Sequence, residues 1–319
     1  MERVRIPLYK VRQFGEKIGD TFAFVSENMK PLLKYLTYFL LPLALLTGLV
    51  MNGYIDGVMS MAQATTAGSD FSYEALGPML AYYGGIMFVA FLVYIILPAL
   101  VYGLMRIYGY REQRLVGLTW EEFKPVLTKM LKQSLKFIVV TLLLGILVVI
   151  IFGVLAALLA ATGTNRGFGI IGMVLLIIAL IVFLVPFSLA QPIYLFEDNT
   201  TVIGALKKSF RLGMRTWGGI IAVTLVLSIV VGILSGIVSI PWTIAMAAKM
   251  AFGLDGGGEG FVGSTGFSFM TYLLGVVQTY FGYLCYTVIF IGIAYQYGHA
   301  AEKIDRVTVE ADIEQFDTL

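Results

Sequence analysis

Residues 201–217 read TVIGALKKSFRLGMRTW and lie between two long apolar runs, near 168–191 and 217–247. At 100° per residue, Lys207, Lys208, Arg211 and Arg215 fall within about 100° of arc on a helix. Val202, Ile203, Leu206, Phe210, Met214 and Trp217 share the opposite side. Such a stretch reads as an interfacial elbow between two membrane spans. At about 1 kcal/mol per cation near an anionic surface, its charges press it against lipid.

Working outward, the rest of the chain agrees with a bilayer. Its 319 residues are 59% hydrophobic and 13% charged. Soluble domains run near a quarter charged, and apolar runs of about 20 residues are span-length. The pattern predicts an all-α integral membrane protein of six spans, near 35–55, 78–105, 137–161, 168–191, 217–247 and 268–298. Residues 1–319 read as a single membrane domain, with a basic amphipathic segment at 1–34 and an acidic tail at 299–319. No cleavable signal pattern is expected, because the first apolar run is long enough to remain as an anchor.

Cations set the orientation. Twenty of the 22 Lys and Arg residues lie before the first expected span, after the second, after the fourth or after the sixth; Arg166 and Lys249 are the exceptions. The bias predicts cytoplasmic termini. Tyr35, Tyr108, Tyr110, Tyr194, Trp217, Tyr295 and Tyr297 are expected at the inner interface, and Tyr54, Tyr82, Tyr83, Trp242 and Tyr272 at the outer one.

The elbow repeats. Phe14, Ile18, Phe22, Val25, Met29 and Leu32 line one face of a first amphipathic helix. In a second, Trp120, Phe123, Leu127, Met130 and Leu131 face away from Lys129, Lys132 and Lys136. Thr119 and Glu122 have capping-box spacing, and Pro125 is expected to kink that helix or delay its start. The fold then reads as three units, each a cytoplasmic amphipathic helix followed by a transmembrane hairpin. Lys207, Lys208, Arg211, Arg215, Lys129, Lys132 and Lys136 are the expected lipid-headgroup contacts.

Within the spans, Ser228, Gly232 and Gly236 recur every four residues, and Gly275 and Gly282 stand one heptad apart. These small faces predict helix packing, within the bundle or at a homodimer seam. Gln278, Thr279, Tyr283 and Tyr286 make the sixth span the most polar. With Gln191 at the end of the fourth, they are the candidates to line a cavity. Pro98 and Pro186 hold matching places in the first two hairpins, as kinks or as broken helices beside a binding site. The glycine-rich GLDGGGEGFVGSTG at 253–266 reads as a connector, having no lysine after its glycines and no preceding strand.

No Asp, Glu, Lys, Arg or His lies centrally in an expected span. One histidine, His299, and one cysteine, Cys285, leave too few ligands for a metal site. No nucleophile has a base at matching depth. The sequence therefore predicts no enzyme, cofactor or metal. Nucleic acid is not an expected partner, since headgroups compete for the basic segments.

The run QPIYLFEDNTTVIGALKKSFRLG at 191–213 resembles a motif of a broad bacterial group of six-span proteins. That group includes the membrane domain attached to some glycerophosphoryl diester phosphodiesterases. Pro192, Glu197, Ala205, Leu206, Ser209 and Leu212 take the places of the motif. RQFGEKIGDTFAFVSENMKPLLK at 12–34 and GIAYQYGHAAEKID at 292–305 are similar to the ends of its stand-alone members. The resemblance implies the six-span fold and a bacterial inner membrane. It implies no phosphodiesterase activity, which belongs to a separate soluble domain rich in metal-binding His and carboxylates. The reading that results is a non-enzymatic inner-membrane protein. It organises or assists membrane components through anionic lipid, a membrane partner or a homodimer. The alternative is a permease-like protein for an apolar or lipid-like solute.

Overall fold

The computed structural model describes residues 5–66, 73–161, 166–254, 260 and 263–308. The glycine run at 255–259 and the tail beyond 308 lie outside the described residues. The described chain is helical: α1 (Phe14–Glu27), α2 (Met29–Thr66), α3 (Tyr73–Tyr110), α4 (Trp120–Ala161), α5 (Arg166–Leu184), a 3₁₀ turn (Val185–Leu189), α6 (Ala190–Phe196), α7 (Val202–Arg215), α8 (Trp217–Leu254) and α9 (Thr265–Asp305). Five helices are long and apolar enough to cross a bilayer: Met29–Ala62, Leu76–Tyr110, Trp120–Leu158, Trp217–Phe252 and Thr265–Asp305. The protein is an all-α, multi-pass membrane protein.

The expected span at 168–191 is not one continuous helix. It is α5, the 3₁₀ turn and the start of α6. Pro186 occupies the turn and has no N–H for the helical ladder, so the break falls there.

Local signals set the elbow boundaries. At the start of α1, the Gln13 N–H donates to Glu16 Oε2 at 2.9 Å. The helix ends where the Asn28 side-chain amide donates back to the Phe24 carbonyl at 2.9 Å. Thr201 caps α7 by accepting the Gly204 N–H at 3.0 Å, and the Thr216 hydroxyl closes it on the Leu212 carbonyl at 2.9 Å. The second elbow is different. Thr119 and Glu122 form the expected capping box, but α4 then runs unbroken into its apolar half. Pro125 sits in the second turn of α4, without ending it.

The chain divides into two compact units: Met1–Asn28, Pro98–Leu227 and Phe290–Leu319 in the first, Met29–Leu97 and Ser228–Ile289 in the second. In the first, a core of Leu189, Ile193, Val202, Ala205, Leu212 and Ile220 joins α7 to the 3₁₀ turn, α6 and the start of α8. The approach of α7 to the turn is close. Ser209 Oγ donates to the Pro186 carbonyl at 2.6 Å, and a β-carbon on Gly213 would stand 2.6 Å from Pro186 Cα. The extended segment before α1 lies on α9, where a β-carbon on Gly298 would collide with the Leu8 carbonyl.

In the second unit, polar links tie α2 to α9. Thr37 and Tyr280 share a hydroxyl bond of 2.5 Å, Thr47 and Tyr283 one of 3.0 Å, and Asn52 Nδ2 donates to the Ser268 carbonyl at 3.3 Å. Lys249 pairs with Asp56. Gly48 faces Tyr272 and Val276, and Gly53 faces the Tyr82 ring.

Five tyrosines expected at the inner interface are inside the protein: Tyr35, Tyr108, Tyr194, Tyr295 and Tyr297 are buried. Tyr110, Tyr82 and Tyr83 are exposed.

Gly213→Val should drive α7 off Pro186 and destabilise the protein by about 2–3 kcal/mol, an overpacking cost. Gly218→Val, with open space around its Cα, should cost far less. Thermal unfolding of the two variants in detergent checks this.

Candidate functional site

The polar layer of the first unit is organised by two adjacent acids. Glu197 ends α6 with an extended backbone, and Asp198 follows it. Arg106 of α3 clasps both Asp198 oxygens, at 2.8 and 2.5 Å, and Lys129 of α4 donates at 2.7 Å. The Arg106 guanidinium, and after it Lys129, holds the Asp198 carboxyl far below the usual carboxylate range. Glu197 accepts from the Tyr297 hydroxyl of α9 at 2.6 Å, from Lys208 of α7 at 2.8 Å and from Thr200 at 3.1 Å. Asp305 on α9 adds bonds to Arg211 at 2.9 Å and to Lys208 at 3.6 Å. Two residues of one loop thus gather α3, α4, α7 and α9.

The cations expected at lipid headgroups therefore separate. Lys129, Lys208 and Arg211 carry carboxylate partners within the unit. Lys207, Arg215, Lys132 and Lys136 are exposed and pair with no carboxylate among the described residues. Sequence spacing pointed to none of the three contacts that do the sorting, Arg106, Tyr297 and Asp305. They lie far apart along the chain.

The elbow helices are turned differently from a soluble amphipathic helix. On α7, Val202, Ala205, Ser209 and Leu212 are buried, while Ile203, Phe210 and Met214 stand 46%, 38% and 55% exposed. On α1 the buried stripe is Lys17, Thr21 and Phe24; Phe14 and Phe22 of the expected apolar stripe are exposed. The outward stripe of α7 continues into an apolar groove of about 370 Å³ lined by Phe183, Phe187, Ile203, Leu206, Lys207 and Phe210. The rings of Phe183, Phe187 and Phe210 lie 5.4–6.0 Å apart.

A second feature belongs to the other unit. A recess of about 350 Å³ between α8 and α9 is lined by Ser228, Gly232, Ser235, Gln278, Thr279, Tyr283 and Tyr286, among others. Gln278 and Thr279 also line a smaller hollow of about 120 Å³ with Thr47, Asn52 and Trp242. The four polar residues singled out on the sixth span meet there; Gln191 does not, because it sits on α6 in the first unit. The small residues on α8 and α9 have a different place from the one expected. Ser228, Gly232 and Gly282 line the recess, and a β-carbon on Gly232, Gly236 or Gly282 would meet nothing within 4 Å. Only Gly275 of this set faces a neighbour closely, with a β-carbon position 3.1 Å from Trp242 Nε1.

Among the described residues, no three of His, Cys, Asp and Glu gather as metal ligands. No family model, curated protein or solved structure matches the chain.

Asp198→Asn should leave Arg106 and Lys129 without their ionic acceptor. The site is partly open to solvent, so screening limits the loss to about 1 kcal/mol. A carboxyl with a depressed folded pKa stabilises above its unfolded value and loses that contribution as pH falls. The unfolding midpoints of the wild type and Asp198→Asn should therefore differ at neutral pH, begin to converge as pH falls below about 4, and meet only once pH has passed the depressed folded pKa. A pH series of thermal melts checks this.

Proposed function

We propose that this protein is a non-enzymatic, multi-pass protein of the bacterial cytoplasmic membrane. It engages anionic lipid through its interfacial helices, and so organises or assists membrane components. The observation that carries the reading is the surface of α7, where exposed Ile203, Phe210 and Met214 run beside exposed Lys207 and Arg215. An apolar stripe inserts into the acyl boundary while adjacent cations meet phosphate, the pattern of a helix lying in the interface plane. The outward Phe14 and Phe22 of α1 support it in the same way.

In this reading α5, the 3₁₀ turn and α6 complete a sixth passage, and the cation bias puts both termini in the cytoplasm. The resemblance of residues 191–213 to the six-span group belongs to the same proposal. A second reading, passage of an apolar or lipid-like solute, draws support from the polar recess beside α8 and α9.

The test uses cations whose reversal breaks no ion pair among the described residues. Lys207→Glu with Arg215→Glu should lower the affinity for anionic lipid by about a thousandfold, since each charge contributes about 1 kcal/mol, its reversal doubles the change, and two reversals remove about 4 kcal/mol. Native mass spectrometry reads the bound lipid. Unchanged retention would reject the interfacial role of α7. For orientation, cysteines at Ser69 and Glu302 in a Cys285→Ser background should label from outside and from inside, respectively.

A further inference from the structure

Away from the acidic pair and the α7 surface, the first unit holds a buried polar cradle that nothing among the described residues satisfies. Gln296 of α9 is 1% exposed, and neither its amide nitrogen nor its amide oxygen has a hydrogen-bond partner. Buried amides are almost always bonded, and leaving both atoms unmet carries the full desolvation penalty of each. Lys17 of α1 is 5% exposed, and its ammonium has no ion pair or hydrogen bond among the described residues. The two side chains converge beside Gly219 of α8. A β-carbon there would stand 3.1 Å from Gln296 Nε2, 3.4 Å from Gln296 Oε1 and 3.4 Å from Lys17 Nζ.

The charges that act on Lys17 share one sign. Lys303 lies seven residues beyond Gln296 on α9, and Lys303 and Arg12 both act on Lys17. Arg12 gives its charge to Asp20 at 2.7 Å and to main-chain carbonyls. His299, one turn after Gln296, accepts the Arg12 N–H at 3.0 Å through Nδ1, which leaves Nε2 as the nitrogen that carries hydrogen. Burial, and next the two neighbouring cations, push the Lys17 ammonium down to about 8. A lysine held this way lacks a counter-charge.

We propose that Lys17 and Gln296, beside Gly219, form a binding site for an oxyanion that bears a hydroxyl, a hydrogen phosphate or the phosphate of a hydroxylated lipid headgroup. The ammonium and the Gln296 amide nitrogen donate to its oxygens. Its hydroxyl donates to Gln296 Oε1, which a bare halide cannot do. Glycine at 219 lets the amide and the ammonium come this close, since a β-carbon would press on both. The site does not rest on the α7 reading, because it shares no residue with that surface.

The test is ligand-dependent stability of the full chain in neutral detergent. Millimolar sodium phosphate, against sodium chloride of equal ionic strength, should raise the unfolding midpoint saturably by about 2–4 °C. Lys17→Met replaces the buried charge with an apolar chain of similar length and should fold; it should lose the phosphate response, as should Gly219→Ala. If phosphate does nothing but phosphatidylglycerol stabilises the wild type over phosphatidylcholine, and Lys17→Met abolishes that difference, the anion is a headgroup. Equal responses in wild type and Lys17→Met, or no response to either probe, would overturn the site and leave the cradle to internal water. Lys207→Glu with Arg215→Glu should keep the Lys17-dependent response even where its bulk lipid retention falls, which separates this proposal from the interfacial one.

Discussion

The pairing of Glu197 and Asp198 with helices remote in sequence is the constraint on which the first unit depends. Apolar helices in lipid gain nothing from the hydrophobic effect on meeting one another, so polar contacts and close packing must choose their neighbours. Here one loop supplies both. Asp198 is clasped by Arg106 and Lys129, and Glu197 by Tyr297 and Lys208. The loop comes directly after α6, which the break at Pro186 lets turn into the core. Ser209 and Gly213 then close α7 onto that same proline. The clamp and the close approach are mutually reinforcing, since each fixes the register of the other.

The outward apolar faces of α1 and α7 are what the proposed change of solvent allows. In water an amphipathic helix turns its apolar stripe inward. In the proposed interfacial setting the outer medium is itself apolar, which lets the exposed Phe14, Phe22, Ile203 and Phe210 face out at no cost. The inner faces are then free to carry small or hydrogen-bonding residues. Thr21 and Ser209 occupy them and donate to carbonyls of α1 and of the 3₁₀ turn. The inward placement of Lys17 on α1 is the extreme of this arrangement and leaves a charge where a soluble helix would hold a leucine.

Much of the local structure is legible along the chain because its causes are local. Apolar length marks α2, α3, α4, α8 and α9 as spans. The Thr119–Glu122 box and the Pro186 break depend on residues within a turn of each other. The polarity of Gln278, Thr279, Tyr283 and Tyr286 is equally visible, and these residues do meet at one recess. The small residues opposite them are less legible. A Gly232 or Gly282 that lets a helix approach and one that leaves space open have the same spacing, and only the position of the neighbouring backbone separates them.

By itself, the sequence determined an all-helical, multi-pass membrane chain with basic segments between spans that carry no charge at their centres, because length, hydropathy and cap chemistry act within a few residues. The tertiary structure alone decided which cations stay free, which face of α1 and α7 turns outward, and where Lys17 and Gln296 meet. Each of those outcomes is a partnership between groups as much as 280 residues apart, such as Lys17 and Gln296, and periodicity carries no information about a partner on another helix. The stretch TVIGALKKSFRLGMRTW shows both halves: its helix and its charge are written in it, but Glu197 and Asp305 choose Lys208 and Arg211 and leave Lys207 and Arg215 to the surface.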